Sequence, residues 1–217
     1  MEYIKICGIQ KVEDLEICIK YGATAIGFVY NVSNSPRNLS KKRVKELIKE
    51  TNKRINTVCV IKVKSLKEIT ETYREIDTDF IQVHSNLDFS ELILLPKELK
   101  RKLIISKKLN PSLNKNLQHY TNEFFAFLID SSEGSGKELN ISRVRSFLIG
   151  LEGTRIILAG GICKKNIRRI ISKLNPYGID LSSSLEIKKG IKSKKKIETF
   201  LKYIKKINKN KIVKYEI

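Results

Sequence analysis

The chain has 217 residues, of which 41% are hydrophobic, and this length suffices for one sizeable core. Its apolar stretches are too short for a membrane span, and charged residues interrupt the N-terminal apolar run, which argues against a signal peptide; we expect a cytoplasmic protein. The four cysteines are scattered, with no CxxC pair and no histidine at ligand spacing, which argues against a disulfide framework or a zinc site.

The formal net charge is +20, so nucleic-acid binding has to be considered. The lysines, however, lie in segments with the pattern of surface helices, without the interleaved aromatic residues of a single-strand binder or a DNA-reading motif. We favour solvated helix faces, with a positive field that helps to collect an anionic substrate. We expect no nucleic-acid or membrane partner.

Short apolar runs alternate with helix-periodic segments along the whole chain. Eight runs are predicted strands: YIKI, TAIGFVY, INTVCVIKV, FIQVH, KLIIS, FFAFLID, RIILAGG and YGIDLSSS. Each is followed by a predicted helix, with Ser40 as the N-cap of the second and Pro111 in the first turn of the fifth. The fourth helix, around 88–95, has the weakest pattern. The pattern does not decide whether the tail from Asn210 is ordered.

Eight strand–helix units with apolar strands indicate a parallel sheet covered by helices. Right-handed crossovers repeated eight times close such a sheet into a (β/α)8 TIM barrel, which we predict as a single α/β domain over residues 1–217. The competing open, doubly wound sheet is disfavoured because no GxGxxG follows the first strand.

In such barrels the chemistry lies at the carboxyl ends of the strands. The candidate residues there are Cys7, His84, Asp130, Gly160, Gly161, Asp180, Ser182 and Ser183, with Arg37 in the second loop. The double glycine leaves a strand and enters a helix, so backbone N–H groups can approach an anion, and serine hydroxyls follow the next strand. We therefore expect a phosphorylated ligand. The residues expected around its phosphate are His84, Gly160, Gly161, Asp180, Ser182 and Ser183.

Three of these residues have alternative interpretations. Taken alone, Cys7 has the pattern of a small buried hydrophobe. Asp130 ends a very apolar run, whose desolvation favours the protonated form that a general acid needs, although a helix cap or an ion pair explains it equally well. His84 is interpreted as a structural histidine near the pocket. The glycine-rich segment 131–139 is a candidate lid.

The motifs KICG, SPR, IQVH, LIDSSEGSGK, AGGI and DLSS occur in this order, and the chain resembles the phosphoribosylanthranilate isomerase family nearly end to end. The resemblance implies a cofactor-free and metal-free Amadori rearrangement of N-(5'-phosphoribosyl)anthranilate in tryptophan biosynthesis. It also implies that Cys7 is the general base, that Asp130 is the general acid and that Arg37 binds the anthranilate carboxylate. A thiol with a pKa of about 8.5 then needs cationic surroundings to act as a thiolate.

The chain departs from the family pattern at Ser85 and Ser184, which replace glycines, and at Glu133, which lies near an anionic substrate. These changes bear on substrate affinity. Gly8 is expected to leave room for the substrate beside Cys7. The oligomer is expected to be a monomer or a homodimer.

Three alternatives remain. The histidine-pathway isomerase has an aspartate at the position of Cys7. Indole-glycerol-phosphate synthase requires a rim lysine, and Lys5 is not a candidate if regular alternation turns it to the other side of the first strand. A basic binding protein with a degenerate barrel predicts salt-dependent affinity for nucleic acid and tolerance of Cys7→Ala.

Overall fold

A closed parallel barrel of eight strands forms the centre of the computed structural model, which describes residues 1–110, 113–131 and 139–212. Its strands are β1 (Tyr3–Cys7), β2 (Ala25–Tyr30), β4 (Asn56–Lys62), β5 (Phe80–His84), β6 (Leu103–Lys108), β7 (Ala126–Asp130), β8 (Ile156–Ala159) and β9 (Gly178–Leu181). They pair in the order β1-β9-β8-β7-β6-β5-β4-β2, and β2 pairs with β1 to close the ring. The prediction of a (β/α)8 barrel is confirmed.

Helices follow the strands and cover the outside of the barrel. They are α1 (Val12–Tyr21), α2 (Lys41–Thr51), α3 (Leu66–Glu75), α4 (Phe89–Leu92), α5 (Lys97–Lys100), α6 (Leu113–Gln118), α7 (Ile141–Leu148), α8 (Ile167–Leu174) and α9 (Lys194–Ile212). Ser40 caps α2 as predicted, with its hydroxyl accepting a hydrogen bond from the backbone N–H of Arg43. The weak fourth helix, predicted around 88–95, is the single turn α4, and Pro96 precedes the equally short α5 outside the predicted range.

Alternation along each strand separates two layers of core. Ile4 and Ile6 of β1 belong to the large cluster between the sheet and the helices. Tyr3 and Cys7 belong to a smaller cluster inside the barrel. Lys5 is fully buried and lies between them on the strand, so it faces the barrel interior as well. The expectation that alternation turns Lys5 away from the side of Cys7 is wrong, because residues two apart in a strand share a face.

Three short strands and one short helix were not predicted. β3 (Asn38–Leu39) extends the sheet beside β2, and a 3-10 helix (Ser183–Leu185) follows β9. β10 (Glu186–Lys188) and β11 (Ile191–Lys192) then form an antiparallel hairpin at the carboxyl end of β9. These elements are too short for a periodic pattern, and they all lie next to the barrel mouth.

Some predictions fall on residues that the structure does not describe. They are the lid over 132–138 with Glu133, Pro111, and the tail from 213 onward. Among the described helices, none is long and apolar enough to cross a bilayer.

Candidate active site

A cavity of ≈ 1940 Å³ opens at the carboxyl ends of the barrel strands. Residues from all eight barrel strands or the loops after them line it. The nine site residues predicted from the sequence are all in its lining: Cys7, Arg37, His84, Asp130, Gly160, Gly161, Asp180, Ser182 and Ser183. The topology thus brings together residues that lie as far as 176 positions apart in the chain.

Cys7 ends β1 at the wall of this cavity and is 8% exposed. Its strand neighbour is Gly27, where an added Cβ would lie 3.0 Å from the sulfur. Burial raises the pKa of the Cys7 thiol above its ordinary value, and the charge of Lys5 is the largest influence in the opposite direction. The thiol is thus the resting form, with a cation beside it.

Lys5 and Asp180 form an ion pair inside the barrel, with 2.8 Å between Nζ and Oδ1. The Lys5 side chain is fully buried and that of Asp180 is 9% exposed. Burial lowers the pKa of Lys5, but the negative charge of Asp180, and that of Cys7 whenever it is a thiolate, raise it more. The pKa of Lys5 therefore lies above its ordinary value and the amine stays protonated. The sequence analysis placed Asp180 near a phosphate; its neighbour in the structure is this ammonium.

The loops after β8 and β9 form the glycine- and serine-rich part of the cavity. Gly160 and Gly161 have φ of +89° and +63°, a backbone conformation that side chains disfavour. Asn166 holds this loop, since its amide donates to the carbonyl of Gly161 at 2.8 Å and its oxygen accepts from the N–H of Cys163 at 2.9 Å. Ser182 precedes the 3-10 helix, and its hydroxyl donates to the carbonyl of Cys7 at 3.4 Å.

Asp130 ends β7, next to the glycine loop after β8, and His84 ends β5, two strands further round the barrel. The carbonyl of Asp130 accepts a hydrogen bond from the N–H of Leu109 at 3.0 Å, which fixes the end of its strand. Burial lowers the pKa of His84, and the charge of Lys5 lowers it further, so the imidazole is neutral at pH 7. The side-chain nitrogen of Gln82 lies 2.9 Å from Nε2 of His84, as expected for a histidine held in place by hydrogen bonding.

Arg37 reaches across the mouth of the barrel to the unpredicted hairpin. Its Nε and Nη2 donate to the two carboxylate oxygens of Glu186, each at 2.7 Å. Lys192 donates to the same carboxylate at 2.9 Å and to the carbonyl of Ser182 at 3.0 Å. Although burial raises the pKa of Glu186, hydrogen bonds from Arg37 and Lys192 lower it to about 2.

Gly8 is required by this arginine. Its φ is +79°, and an added Cβ would lie 2.5 Å from Cδ of Arg37. The space that the sequence analysis reserved for the substrate is thus filled by the aliphatic part of Arg37. Nη1 of Arg37 is outside the pair with Glu186, so one edge of the guanidinium remains for another carboxylate.

The sequence analysis missed the cations around the cavity. Four lysines are part of the lining: Lys62, Lys64, Lys107 and Lys108. Lys107 donates to the carbonyls of Leu87 and Ser85 at 2.7 and 3.3 Å, and burial lowers its pKa. Since lysine is abundant throughout this chain, the sequence does not distinguish these four from lysines on the outer surface; their place in the cavity follows from the fold. Their charge suits an anionic ligand.

Ser85 and Ser184, which the sequence analysis expects at positions where the family has glycine, also line the cavity. The hydroxyl oxygen of Ser85 is buried and has no hydrogen-bond partner among residues 1–110, 113–131 and 139–212. Ser184 lies within the 3-10 helix after β9, next to the predicted phosphate region. Both therefore add side-chain atoms to the wall of the site.

Comparisons with known proteins agree with this architecture. Residues 4–203 match the family model described as N-(5'-phosphoribosyl)anthranilate (PRA) isomerase. A relative of that name from Methanococcus aeolicus is 33% identical over 215 residues, covering 94% of this chain and 98% of its own length. The structure of the Pyrococcus furiosus protein of that name has a TM-score of 0.76 at 29% identity, covering 95% of this chain and all of that one.

A further solved structure is similar in fold. It is a phosphoribosylanthranilate isomerase in complex with reduced 1-(o-carboxyphenylamino)-1-deoxyribulose 5-phosphate. Its TM-score is 0.73 at 24% identity, and the match covers 94% of this chain and 99% of that one.

Proposed function

The chain belongs to the phosphoribosylanthranilate isomerase family, and from this premise we propose that it rearranges N-(5'-phosphoribosyl)anthranilate with Cys7 as general base and Asp130 as general acid. The family consists of isomerases of tryptophan biosynthesis. One observation carries the residue assignment: Cys7, Asp130 and the glycine–serine loops line a single cavity, although β1 and β7 are not neighbours in the sheet.

The order of strands around the barrel supports these roles. β8 and β9, which carry the glycine and serine loops, lie between β7 with Asp130 and β1 with Cys7. A phosphate bound by the N–H groups of Gly160 and Gly161 and the hydroxyls of Ser182 and Ser183 leaves the sugar over the barrel mouth. The acid and the base then approach this sugar from different sides.

The proposed reaction needs only proton transfers. Asp130 protonates the ring oxygen of the ribose, and the ring opens to a protonated Schiff base. Cys7, as thiolate, takes the proton from C2, and the electron pair of that bond moves towards the Schiff base to give an enolamine. The enolamine tautomerises to the ketone, 1-(2-carboxyphenylamino)-1-deoxyribulose 5-phosphate. The substrate gains one proton from Asp130 and loses one to Cys7, and the tautomerisation moves a proton from the C2 hydroxyl to C1. Asp130 and Cys7 return to their starting forms by proton exchange with solvent, so the scheme uses no cofactor.

Arg37 is proposed to bind the anthranilate carboxylate. Its Nη1 edge is directed away from the pair with Glu186, and a guanidinium edge binds a carboxylate with two parallel hydrogen bonds. Asp180 is not included in the phosphate site, because a carboxylate repels a phosphate and Asp180 already neutralises Lys5. The predicted reducing, cytoplasmic location suits a thiol that acts as a base.

The test is turnover of phosphoribosylanthranilate by purified wild-type protein without added cofactor. We expect Cys7→Ala and Asp130→Asn to lower kcat by a factor on the order of 10²–10⁴. The matched controls are Cys163→Ala, another cysteine in the cavity lining, and Asp77→Asn, an exposed aspartate before β5. Both controls are expected to stay within about twofold of the wild type, as surface and spectator changes do.

Circular dichroism and thermal unfolding of each variant show that the fold is kept. Full turnover by Cys7→Ala or Asp130→Asn overturns the residue roles. An inactive wild-type protein overturns the reaction itself.

A further inference from the structure

The barrel interior contains a buried charged pair that the proposed reaction does not use. Lys5 is fully buried, in the strand that ends in Cys7, and its ammonium lies 2.8 Å from Oδ1 of Asp180. A charged lysine inside a barrel core lowers the stability of the fold, because an ammonium loses its hydration there. A neutral side chain of similar length would fill the same space, so the charge itself requires an explanation.

The pair lies directly beneath the thiol. Lys5 and Cys7 are two residues apart on β1, so both side chains point into the barrel. An atom at the Cβ position of Gly27 would lie 3.0 Å from Sγ of Cys7 and 3.0 Å from Cε of Lys5, so both side chains pack over this glycine. The absence of a side chain at Gly27 thus provides the space in which the end of the Lys5 side chain packs beside the sulfur.

The ion pair with Asp180 does not satisfy all the hydrogen-bond donors of the Lys5 ammonium. The separation from Asp180 is that of an ion pair, but neither Nζ of Lys5 nor Oδ1 of Asp180 has a partner with hydrogen-bond angles in the part of the chain that the structure describes. Buried N–H groups are nearly always paired in folded proteins. An ammonium has three N–H donors, and the one carboxylate oxygen at 2.8 Å does not occupy all of them, so Lys5 can also donate to a thiolate beside it.

We propose that Lys5 is a positioning residue for Cys7, whose buried ammonium, held by Asp180, stabilises the thiolate that removes the C2 proton. This inference rests on the proposed role of Cys7 as the base. Lys5 keeps its protons throughout: the thiol loses its proton to solvent before catalysis, and the thiolate takes one from C2. The sulfur thus alternates between a neutral and an anionic form, and Lys5 favours the second.

Other charged and titratable groups face this cluster from several elements of the described structure. Four are coupled to Cys7, Lys5 or Asp180: Tyr3 on β1, Arg37 in the loop after β2, His84 on β5 and Lys192 on β11. Asp130 on β7 and Lys62 on β4 act on His84. For the thiol itself, Lys5 and Lys192 lower the pKa and Asp180 raises it, with Lys5 having the larger effect of the two cations.

The experiment measures the protonation of Cys7 directly, through the rate of alkylation by iodoacetamide as a function of pH. Only the thiolate reacts, so the rate follows its fraction. The measurements use a Cys163→Ser background, because Cys163 is the partly exposed cysteine, and mass spectrometry of peptides assigns the label to Cys7. The readout does not depend on turnover.

Lys5→Met removes the charge and keeps the straight chain, and we expect the alkylation profile to move to higher pH. At pH 7 the rate is expected to fall about tenfold for each pKa unit of this shift. The acid limb of kcat/KM is expected to move with it. Asp180→Asn removes the opposing negative charge and is expected to move the profile to lower pH.

Two further variants complete the design. Lys62→Met removes an exposed lysine from the lining of the same cavity and is expected to leave the profile unchanged. Lys5→Met leaves Asp180 buried without its cation, which can prevent folding. The double variant Lys5→Met/Asp180→Asn has no unpaired charge, and its profile is still expected above that of the wild type, because Lys5 acts more strongly on Cys7 than Asp180 does.

Coincident alkylation profiles for the wild type and either Lys5 variant overturn the inference. The two proposals fail in different ways: an active Cys7→Ala variant removes Cys7 from the chemistry, whereas the alkylation profiles report the coupling of Lys5 to Cys7 whether or not the protein turns over.

Discussion

The two ends of the barrel are made by the same eight strands but contain different residues. The strands start near a cluster of rings from Tyr3, Phe80, Phe125 and Tyr177, with Phe80 and Phe125 stacked at 4.0 Å between centroids. The guanidinium of Arg155 lies 5.3 Å from the ring of Phe125. The strands end in a thiol, carboxylates, lysines and glycines with positive φ around an open cavity.

This difference separates stability from chemistry along each strand. Aromatic rings at the amino ends close the barrel and exclude water, which stabilises the fold. Polar groups at the carboxyl ends are partly desolvated and held by ion pairs, an arrangement that stabilises the fold less but prepares the groups to bind or move protons. Substitutions at the amino ends should therefore change mainly the free energy of unfolding, and substitutions at the carboxyl ends mainly the kinetics.

The largest effects are expected when one glycine at each end of the barrel is replaced by alanine: Gly178 at the amino ends and Gly27 near the carboxyl ends. In Gly178→Ala the new Cβ would lie 2.6 Å from both Cβ and the carbonyl oxygen of Tyr3. Since the backbone has to move, we expect the free energy of unfolding to fall by about 1–3 kcal/mol, with kcat of the folded protein nearly unchanged. Denaturant unfolding and steady-state kinetics measure the two effects.

In Gly27→Ala the new Cβ meets the sulfur of Cys7 and Cε of Lys5 at 3.0 Å. Displacement of these groups is expected to lower kcat about tenfold to a hundredfold, with a smaller loss of stability than in Gly178→Ala. The comparison of the two ends is wrong if Gly178→Ala loses more kcat than Gly27→Ala does.

An intermediate effect is expected for Arg37→Lys. Lysine keeps the positive charge but loses the two-pronged geometry that holds Glu186 and leaves a second edge for a carboxylate. We expect KM to rise about tenfold, with a smaller change in kcat. The control is Arg54→Lys, which removes another two-pronged contact, with Glu16 on the outer surface. An unchanged KM in Arg37→Lys would show that this arginine does not bind the substrate.

The smallest effect concerns acid stability. The pKa of Glu186 is held at about 2, below its value of about 4.3 in an unfolded chain, so its ion pairs stabilise the fold above that value. This contribution is lost as the pH falls from about 5 towards 2. In Glu186→Gln the free energy of unfolding is expected to be lower at pH 7 and to fall less steeply over this range.

The control for acid stability is Glu198→Gln, because Glu198 makes a surface ion pair with Lys202 that solvent screens. Its acid unfolding curve is expected to follow that of the wild type. Equal slopes in the wild type and Glu186→Gln would contradict the assignment of this pH dependence to Glu186.

The sequence predicts the barrel well because parallel strands leave a strong signal. A strand buried on both faces is apolar throughout, and the helices between the strands keep their own period, so the alternation is visible without any tertiary information. The hairpin after β9 was missed because its strands have three and two residues, too few for a period.

The site could be predicted only in part. Residues that end strands, such as Cys7 and Asp130, share one rim in any such barrel, and topology alone places them there. The side chains that surround these strand-end residues cannot be predicted from topology alone. Lys5 and Asp180 meet across a strand pair from opposite ends of the chain, and a single lysine in a strand has no pattern that indicates a buried cation. Gly8 was expected to leave room for the substrate, but the side chain that it accommodates is that of Arg37, 29 residues away.

The contacts from Arg37 through Glu186 and Lys192 to Ser182 have a consequence for selectivity. Each link is a hydrogen bond of 2.7–3.0 Å, so the proposed carboxylate site and the proposed phosphate loops are joined by a short, continuous series of charges. If both proposed sites bind anions, the protein sets the spacing between them before any ligand arrives. We therefore expect a ligand with two anionic groups to be selected by the distance between those groups, and compounds with the same charge but a different spacing to bind less tightly.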